Sequence, residues 1–433
     1  MMLRRASGLL FSPAPGGTKD RSRVDEAKRI HLLPGENMDT HGSKSVTVWA
    51  GAIIPAVLLV LHNAQRLAPV PLFDELRLSL GTDYVGVGNL FGAFLFSYAF
   101  FNLAAGILAD KFNNKHLMVL GVSLSFLASG LFALARSYPV AFFSRLVLGI
   151  ASSFIYVPAV RYVVTSFPEE RRGAVMGLVE VGAGIGMVFS LTLLPLFAKE
   201  FGLLAAFLIL PGLSVFVLPL VIFGLPSQRP RASGSMRTRF LTLGMNRCFW
   251  YLLTFLFLIM LSHYCVFGWF PTFLRNNFGY SAIKAGLAST LVTIALIVGS
   301  PIAGVLSDRF RSRTSVLLSG GIMTVIALVL FLLRTNAALV LGAAVLAGMG
   351  MAFTIPVSMV LVGEVFGATG AGLAVSTAAM TGQIASSLSG MMFGYVLQTW
   401  NTFTAVWGLA LVFSVGSVPF LLMARRMMKK TPV

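Results

Sequence analysis

Charged residues are scarce in this 433-residue sequence. Only 11% are Asp, Glu, Lys or Arg, against roughly 25% in soluble domains. Hydrophobic residues make up 57%, and the mean hydropathy is +0.85. A soluble fold cannot hide so much apolar surface, so lipid is expected to be the solvent for most of the chain. The composition excludes an ordinary soluble domain.

Other absences exclude further classes of protein. The only two cysteines, Cys248 and Cys265, lie in or beside one apolar run, so a disulfide framework is not indicated. The sequence contains no P-loop, which excludes direct drive by ATP. No His/Cys/Asp cluster has metal-ligand spacing. We therefore expect no cofactor, no metal and no enzymatic activity.

Positive charge is in excess, with a formal net charge of +18. The charges punctuate apolar runs instead of forming polar basic segments, which favours membrane topology over a nucleic-acid partner. Residues 1–45 are polar, basic and rich in Pro and Gly. Their apolar stretch GLLF is too short for a signal peptide. They are predicted to form a disordered cytoplasmic tail, and either Met1 or Met38 could be the true start.

Apolar runs of about 20 residues, enough to cross a bilayer core, recur along the rest of the chain. The sequence predicts an all-α polytopic membrane protein with twelve transmembrane helices. The predicted spans are 46–71, 85–108, 117–136, 140–166, 174–198, 202–224, 248–273, 283–306, 315–334, 337–363, 372–397 and 402–424.

Lysine and arginine concentrate in the loops after spans 2, 4, 6 and 8 and after span 12. The opposite loops, such as DELRLSLGTD and RNNFGYSAIK, are poorer in positive charge. The positive-inside rule then places both termini in the cytoplasm. The expected location is the plasma (inner) membrane, with a multi-pass topology.

One short charged turn occurs twice. Residues 106–116 read GILADKFNNKH and residues 304–313 read GVLSDRFRSR, 198 residues apart; Pro158 and Pro356 keep the same offset. The longest internal loop follows span 6. Two parallel six-helix halves are therefore predicted. Their boundaries are 46–225 for the N-terminal bundle, 226–246 for a basic linker, 247–425 for the C-terminal bundle and 426–433 for a cytoplasmic tail.

The duplicated turn resembles the signature G-x-L-x-D-R/K-x-G-R/K-R/K of the major facilitator superfamily, although Asn113 and Arg311 replace the second glycine. Arg145-Leu-Val-Leu-Gly149 resembles the R-x-x-x-G pattern of its fourth helix. FPEERRGAVMG (167–177) and SYAFFNLAAGILAD (97–110) are similar to segments of its organic-anion symporters. The resemblance covers residues 46–425. It implies secondary transport of a small molecule by alternating access, a co-transported proton or ion, and a monomer.

The duplicated turns are predicted to form a cytoplasmic gate, the alternative being plain loop topology. Gly106 and Gly304 would allow close helix approach. Asp110 and Asp308 would face the positive N-terminal ends of helices starting near 372 and 174. The predicted ion pairs join Glu169 or Glu170 to Lys111 or Lys115, and Glu364 to Arg309 or Arg313.

Arg66 and His62 are polar residues within span 1, and their spacing of four places them on one helix face. An ionisable residue inside a span indicates function, and a guanidinium suits a carboxylate. The organic-anion symporters carry a substrate-binding arginine in the corresponding span, which the position of Arg66 resembles. The alternative is that Arg66 snorkels to the outer surface.

Three further charges lie within spans. Arg161 and Glu180 have similar predicted depths in the hairpin of spans 4 and 5, so we expect an ion pair, with either a structural or a gating role. Arg145 occupies the buried-arginine position implied by the resemblance and is predicted to be a conformational or coupling residue. The symporters' membrane glutamate is replaced by Ser152, so Glu180 or a histidine would have to carry the proton.

The remaining cavity candidates are His263 in span 7, Tyr98 in span 2 and Gln383 in span 11. For His263, a hydrogen-bonded packing role is the favoured alternative to proton carriage. The sequence as a whole predicts a secondary transporter for a small organic anion or zwitterion, bound by Arg66. The alternatives are a proton-coupled efflux pump for hydrophobic or cationic compounds and a non-transporting membrane sensor.

Overall fold

The computed structural model describes residues 41–226, 246–310, 312–334 and 336–430, except the side chains of 41–50, 110, 169–170, 172–174, 367–372 and 429–430. Most of the predicted tail, 1–40, and most of the linker lie outside the described residues. Within the predicted tails, residues 41–45 and 426–430 are helical, which corrects those two boundaries.

Long helices make up nearly all of the described chain. Their bounds are α1 His41–Leu67, α2 Tyr84–Lys111, α3 Asn114–Ala133, α4 Tyr138–Ser166, α5 and α6 together Glu169–Gly224, α7 Arg247–Phe278, α8 Ala282–Arg309, α9 Arg313–Leu333, α10 Ala337–Val365, α11 Gly367–Trp400 and α12 Phe403–Lys430. A 3-10 turn, Val70–Leu72, and a short connecting helix, Phe73–Ser79, join α1 to α2.

The range Glu169–Gly224 is broken at Gly202, whose φ of 85° and ψ of 165° are non-helical. An unbroken helix of 56 residues would be about 84 Å long, far more than a hydrocarbon core of about 30 Å. The arm before the break (169–201) is α5 and the arm after it (203–224) is α6. The break lies where the sequence predicts the loop between spans 5 and 6.

Ten helical stretches of the described chain are long and apolar enough to cross a membrane. One of them, Val175–Gly224, covers both α5 and α6, and α11 is not among the ten. The prediction of an all-helical, multi-pass membrane protein is confirmed. The described helices are also consistent with the predicted number of twelve.

The turns before α2 and α8 repeat each other at the 198-residue offset. Gly81 and Gly279 both adopt left-handed conformations, with φ of 59° and 64°. Two residues later, Asp83 and Ser281 each cap the next helix through the side chain. Such oxygens satisfy backbone N–H groups that lack a helical partner. The duplicated sequence thus has a local structural counterpart, while the exact bundle boundaries stay a prediction.

Small residues bring α2 against α11 and α5 against α8. A Cβ on Gly88 would collide with the carbonyl oxygen of Gly390, and one on Gly286 would collide with that of Leu191. Gly88 and Gly286 are also 198 residues apart. Close backbone approach at small residues is a common way to pack helices in lipid, and here it joins the N-terminal and C-terminal halves.

Among the described residues, the closest backbone contacts between the halves, such as Gly88 on Gly390 and Gly394 on Tyr84, lie toward one end. That closed end carries the connecting helix and the turn between α7 and α8. At the other end, which we call the open end, a Cβ added to Gly106, Gly177 or Gly304 would meet nothing within 4 Å. The predicted close approach at Gly106 and Gly304 is therefore absent from this conformation. By the predicted topology the open end is cytoplasmic.

Candidate functional site

Arg66 lies near the C-terminal end of α1, and its side chain is only 8% exposed. Its Nη2 donates to the Tyr264 hydroxyl of α7 at 3.1 Å, across a separation of 198 residues. Its Nε has no partner. Because the two residues occupy equivalent positions in the duplicated halves, the pseudo-twofold axis passes between them. Arg66 therefore lies between the two halves and does not snorkel to the outer surface.

Aromatic rings surround the same position. The His62 ring, one turn before Arg66, lies 5.2 Å from the ring of Tyr98 and 5.8 Å from that of Tyr156. His62 is buried, and its Nδ1 has no partner. We call Arg66, His62, Tyr98, Tyr156 and Tyr264 the Arg66 cluster. Sequence reasoning placed the first three together but missed both other tyrosines. The offset of 198 from Arg66 would have identified Tyr264, whereas Tyr156 carries no such signal.

Arg145 is completely buried and holds the end of α1 that carries Arg66. It donates to the carbonyl oxygens of Gln65 (2.8 Å), Arg66 (2.9 Å) and Leu90 (3.1 Å). Two of these carbonyls belong to the C-terminal end of α1, where the helix dipole favours a cation. A buried charge without an ion-pair partner among the described residues is thereby satisfied by backbone. Its predicted role in coupling stays a prediction.

A buried amide–hydroxyl network fixes α1 from the other side. Gln65 accepts from Ser125 of α3 at 2.7 Å and donates to Ser214 of α6 at 3.2 Å. Ser190 of α5 donates to the carbonyl oxygen of Ala64 at 3.0 Å. Sequence reasoning noted Gln65 only as a polar neighbour of Arg66. Its actual partners preorganise the backbone on which Arg66 stands.

Along the helix axes, Glu180 lies nearer to the open end than Arg66 does. Gly182 packs on the backbone of Ala56 and Gly186 on that of Val60. Helices α5 and α1 therefore run in parallel, and each residue of α5 lies beside the α1 residue whose number is smaller by 126. Glu180 is thus level with residue 54, twelve residues before Arg66, or about 18 Å along the axis. Its side chain is exposed.

The predicted ion pair between Arg161 and Glu180 is wrong for this conformation. No salt bridge joins these two described side chains. Equal depth in a helical hairpin does not fix the direction in which each side chain points around its own helix. Arg161 is half-buried and makes other contacts.

The structure does not bring His263 and Gln383 to the Arg66 cluster. His263 is completely buried, and its Nε2 lies 3.2 Å from the Thr324 hydroxyl of α9, which agrees with the packing role that the sequence favoured; that role stays a prediction. Gln383 is half-buried on α11, and its Oε1 has no partner. Among the described contacts, none links it to Arg66.

An ion-pair clamp that sequence reasoning missed holds the closed end. Arg275, at the end of α7, lies 2.8 Å from Glu75 and 3.3 Å from Asp74 of the connecting helix. Next to it, Asn276 donates to the Tyr84 hydroxyl at 3.0 Å. In the sequence, one predicted non-cytoplasmic loop begins DEL and another begins with arginine, but nothing local indicates that the two segments meet.

The predicted gate at the open end is only partly present. Arg313 contacts Glu364 at 2.8 Å, as predicted, and also pairs with Asp308. All three residues belong to the C-terminal half, so Asp308 is drawn to Arg313 and not to the helix start near 174. Of the two arginines considered, Arg313 and not Arg309 makes the pair. The side chains of Asp110 and Glu169 lie outside the described set, so their pairing with Lys111 and Lys115 stays a prediction.

Comparison with known proteins identifies the family. The family model described as Major Facilitator Superfamily matches residues 56–288 and 252–432. The chain therefore belongs to the major facilitator superfamily. Its relatives are named as transporters, so it is a transporter-family protein and not an enzyme.

Two curated relatives are named as transporters of anions. The chain is 26% identical over 319 residues to "Probable anion transporter 3, chloroplastic" from Oryza sativa subsp. japonica, which covers 66% of this chain and 61% of that protein. It is 27% identical over 224 residues to "Probable nitrate/nitrite transporter NarK2" from Mycobacterium tuberculosis, covering 50% and 56%. The chain thus spans about three fifths of the length of these relatives.

Solved structures share the fold. A bacterial homologue of the human lysosomal transporter Spinster, in an inward-facing and unoccupied conformation, is 15% identical with a TM-score of 0.74 and covers 91% of this chain and 100% of that one. A point mutant of the nucleoside transporter NupG is 16% identical with a TM-score of 0.73 and covers 87% and 99%. At these identities the likeness concerns the fold alone.

Proposed function

We propose that the protein is a secondary transporter that moves a small anion across the membrane by alternating access. The observation that carries this proposal is the buried Arg66 guanidinium, which lies between the halves with an unpartnered Nε. No carboxylate among the described residues lies within salt-bridge distance of it. A buried cation held in this way attracts an anionic ligand. The names of the two anion-transporter relatives support the same class.

The arrangement of contacts supports a rocking motion. The halves meet at the closed end through the Arg275 clamp, and at the open end a Cβ added to Gly106, Gly177 or Gly304 would meet nothing within 4 Å. The Arg66 cluster lies between these ends on the pseudo-twofold axis. A ligand there would be reached from the open end, and release to the other side would require the clamp to break. We propose the plasma (inner) membrane as the location, with the open end cytoplasmic.

Uptake into proteoliposomes tests this proposal. Purified protein is assayed against labelled monocarboxylates, dicarboxylates, amino acids and nitrate. Arg66→Lys is compared with Arg426→Lys, which changes an exposed arginine of α12 in the same way. We expect Arg66→Lys to lower uptake at least tenfold, because an ammonium group lacks the planar fork, and Arg426→Lys to leave uptake unchanged. Equal anion uptake by Arg66→Lys and the wild type would remove Arg66 from the binding role.

The second candidate function is proton-coupled efflux of hydrophobic or cationic compounds. It is favoured by the exposed Glu180 carboxylate on the open-end side of the site. A strain that overexpresses the protein would then resist several unrelated cationic compounds, and Glu180→Gln would abolish that resistance. That outcome, together with no anion uptake, would reverse our ranking.

A further inference from the structure

Two hydrogen-bond donors, Arg66 Nε of α1 and the Tyr264 hydroxyl of α7, have no acceptor among the described residues. Arg66 Nε is buried and unpartnered. The Tyr264 hydroxyl accepts a hydrogen bond from Arg66 Nη2, and no hydrogen bond among the described residues uses that hydroxyl as a donor. The two side chains are only 8% and 7% exposed. Buried donors are normally paired, so this pair of free donors indicates a missing acceptor.

The chemistry of these donors suits a planar anion. Nε and one terminal nitrogen form the edge of a guanidinium that binds two oxygens of a carboxylate at once. At present the terminal nitrogen on Arg66 is occupied by a neutral phenol oxygen. An incoming anion would replace that oxygen at Nη2 and would gain Nε. A hydroxyl is both donor and acceptor, so Tyr264 could then donate its own hydrogen to the same anion.

The neighbours of Tyr264 keep its hydroxyl at this position. The Tyr264 ring lies 6.5 Å from the ring of Phe91 and 5.9 Å from that of Phe267. The Arg66 guanidinium carbon lies 5.5 Å from the centroid of the Tyr264 ring. Packing therefore restricts the tyrosine to small displacements, and an anion held by Arg66 stays within reach of the hydroxyl.

We propose that Tyr264 is the substrate-binding residue of the C-terminal half, and that Arg66 and Tyr264 hold one planar anionic group between them. This inference rests on the proposed function. One guanidinium and one neutral phenol compensate a single negative charge, and no second cation lies beside them among the described contacts of Arg66 and Tyr264. The preferred substrate class is thus a monoanion with two coplanar oxygens, such as a monocarboxylate or nitrate, rather than a dianion.

Binding to the full-length protein in nanodiscs tests this proposal with lactate, nitrate and succinate as probes. Affinities are obtained from the rise of the thermal midpoint with ligand concentration. Tyr264→Phe removes only the hydroxyl, and Tyr251→Phe is the matched control, a half-buried tyrosine elsewhere on α7. We expect Tyr264→Phe to bind lactate or nitrate about tenfold more weakly, and Tyr251→Phe to match the wild type. The wild type should bind the monoanions more tightly than succinate.

The outcomes separate this inference from the proposed function. Unchanged affinity in Tyr264→Phe, with weakened binding in Arg66→Lys, would refute the role of Tyr264 and leave the role of Arg66 intact. Tighter binding of succinate would refute the single-charge preference. If the wild type binds none of the three probes and transports no anion, the proposed function itself fails. Tyr264→Leu, which also lacks the hydroxyl, replaces Tyr264→Phe if that variant does not fold.

Discussion

At the scale of single residues, the buried arginines of this protein divide between support and binding. Arg145 uses Nε and both terminal nitrogens on backbone carbonyls, so each of its three nitrogens already has a partner. Arg66 uses one nitrogen and keeps Nε free. The first arginine stabilises the helix end, and the second is available for recognition.

We predict that Arg145→Lys lowers the thermal unfolding midpoint of the purified protein. A single ammonium group cannot reach three carbonyls on two helices, and losing partners for buried groups costs roughly 2–5 kcal/mol. Arg136→Lys is the control, because Arg136 is an exposed residue on the turn before α4. Equal midpoints for the two variants would show that Arg145 does not hold α1 in place.

These residues also show which parts of the candidate site could be predicted from the sequence. Arg66, His62 and Tyr98 were placed in one site because ionisable groups within apolar spans are rare. Pairing Arg161 with Glu180 failed because depth along a hairpin does not determine the direction of a side chain. The Arg275 clamp was missed because it joins two loops that are distant in sequence, and nothing local indicates that they meet.

At the scale of helices, backbone contact at small residues determines how the halves join. Gly88 of α2 and Gly286 of α8 face carbonyl oxygens across the interface between the halves. Sequence reasoning assigned close approach to Gly106 and Gly304, which lie on the same two helices but at the open end. The same helices therefore contact the other half near Gly88 and Gly286, whereas Gly106 and Gly304 have no neighbour within 4 Å, which only the three-dimensional arrangement reveals.

We predict that Gly88→Ala destabilises the closed end, because its methyl group would overlap the Gly390 carbonyl oxygen. Overpacking of this kind costs about 1–3 kcal/mol. The thermal midpoint should fall by several degrees. Gly408→Ala in α12, where an added Cβ would meet nothing within 4 Å, should leave the midpoint within error. A smaller fall for Gly88→Ala than for Gly408→Ala would contradict the described interface.

At the scale of the whole molecule, the structure is one of two expected end states. The spans, the duplicated turns and the break at Gly202 follow from apolar length and turn residues, which are local properties. The choice between open and closed ends depends on weak contacts between the halves, and partly exposed ion pairs are worth only about 0–1 kcal/mol each. A free-energy difference as small as this cannot be predicted from the composition of the sequence or from the spacing of its residues.

We predict that Arg275→Gln opens the closed end. Ser387→Cys serves as the reporter, since Ser387 is buried there and donates to the Gly92 carbonyl oxygen at 2.8 Å. In a background with Cys248→Ser and Cys265→Ser, an impermeant maleimide applied from the Arg275 side should label the reporter several-fold faster in Arg275→Gln. Lys199→Gln, at the exposed Lys199–Glu200 ion pair, is the control and should not change the rate. Equal rates in all three proteins would mean that the clamp does not keep this end shut.

Contact between Arg66 and Tyr264, which are copies of one ancestral position, has a mechanical consequence. When the two halves rock in opposite senses about a shared axis, the residues on that axis move least. Probes attached beside this pair should record nearly constant spacing throughout a transport cycle, while probes near Phe112 and Phe310 should swing apart and together. The bound substrate would thus stay close to the rotation axis while access to it changes from one side of the membrane to the other.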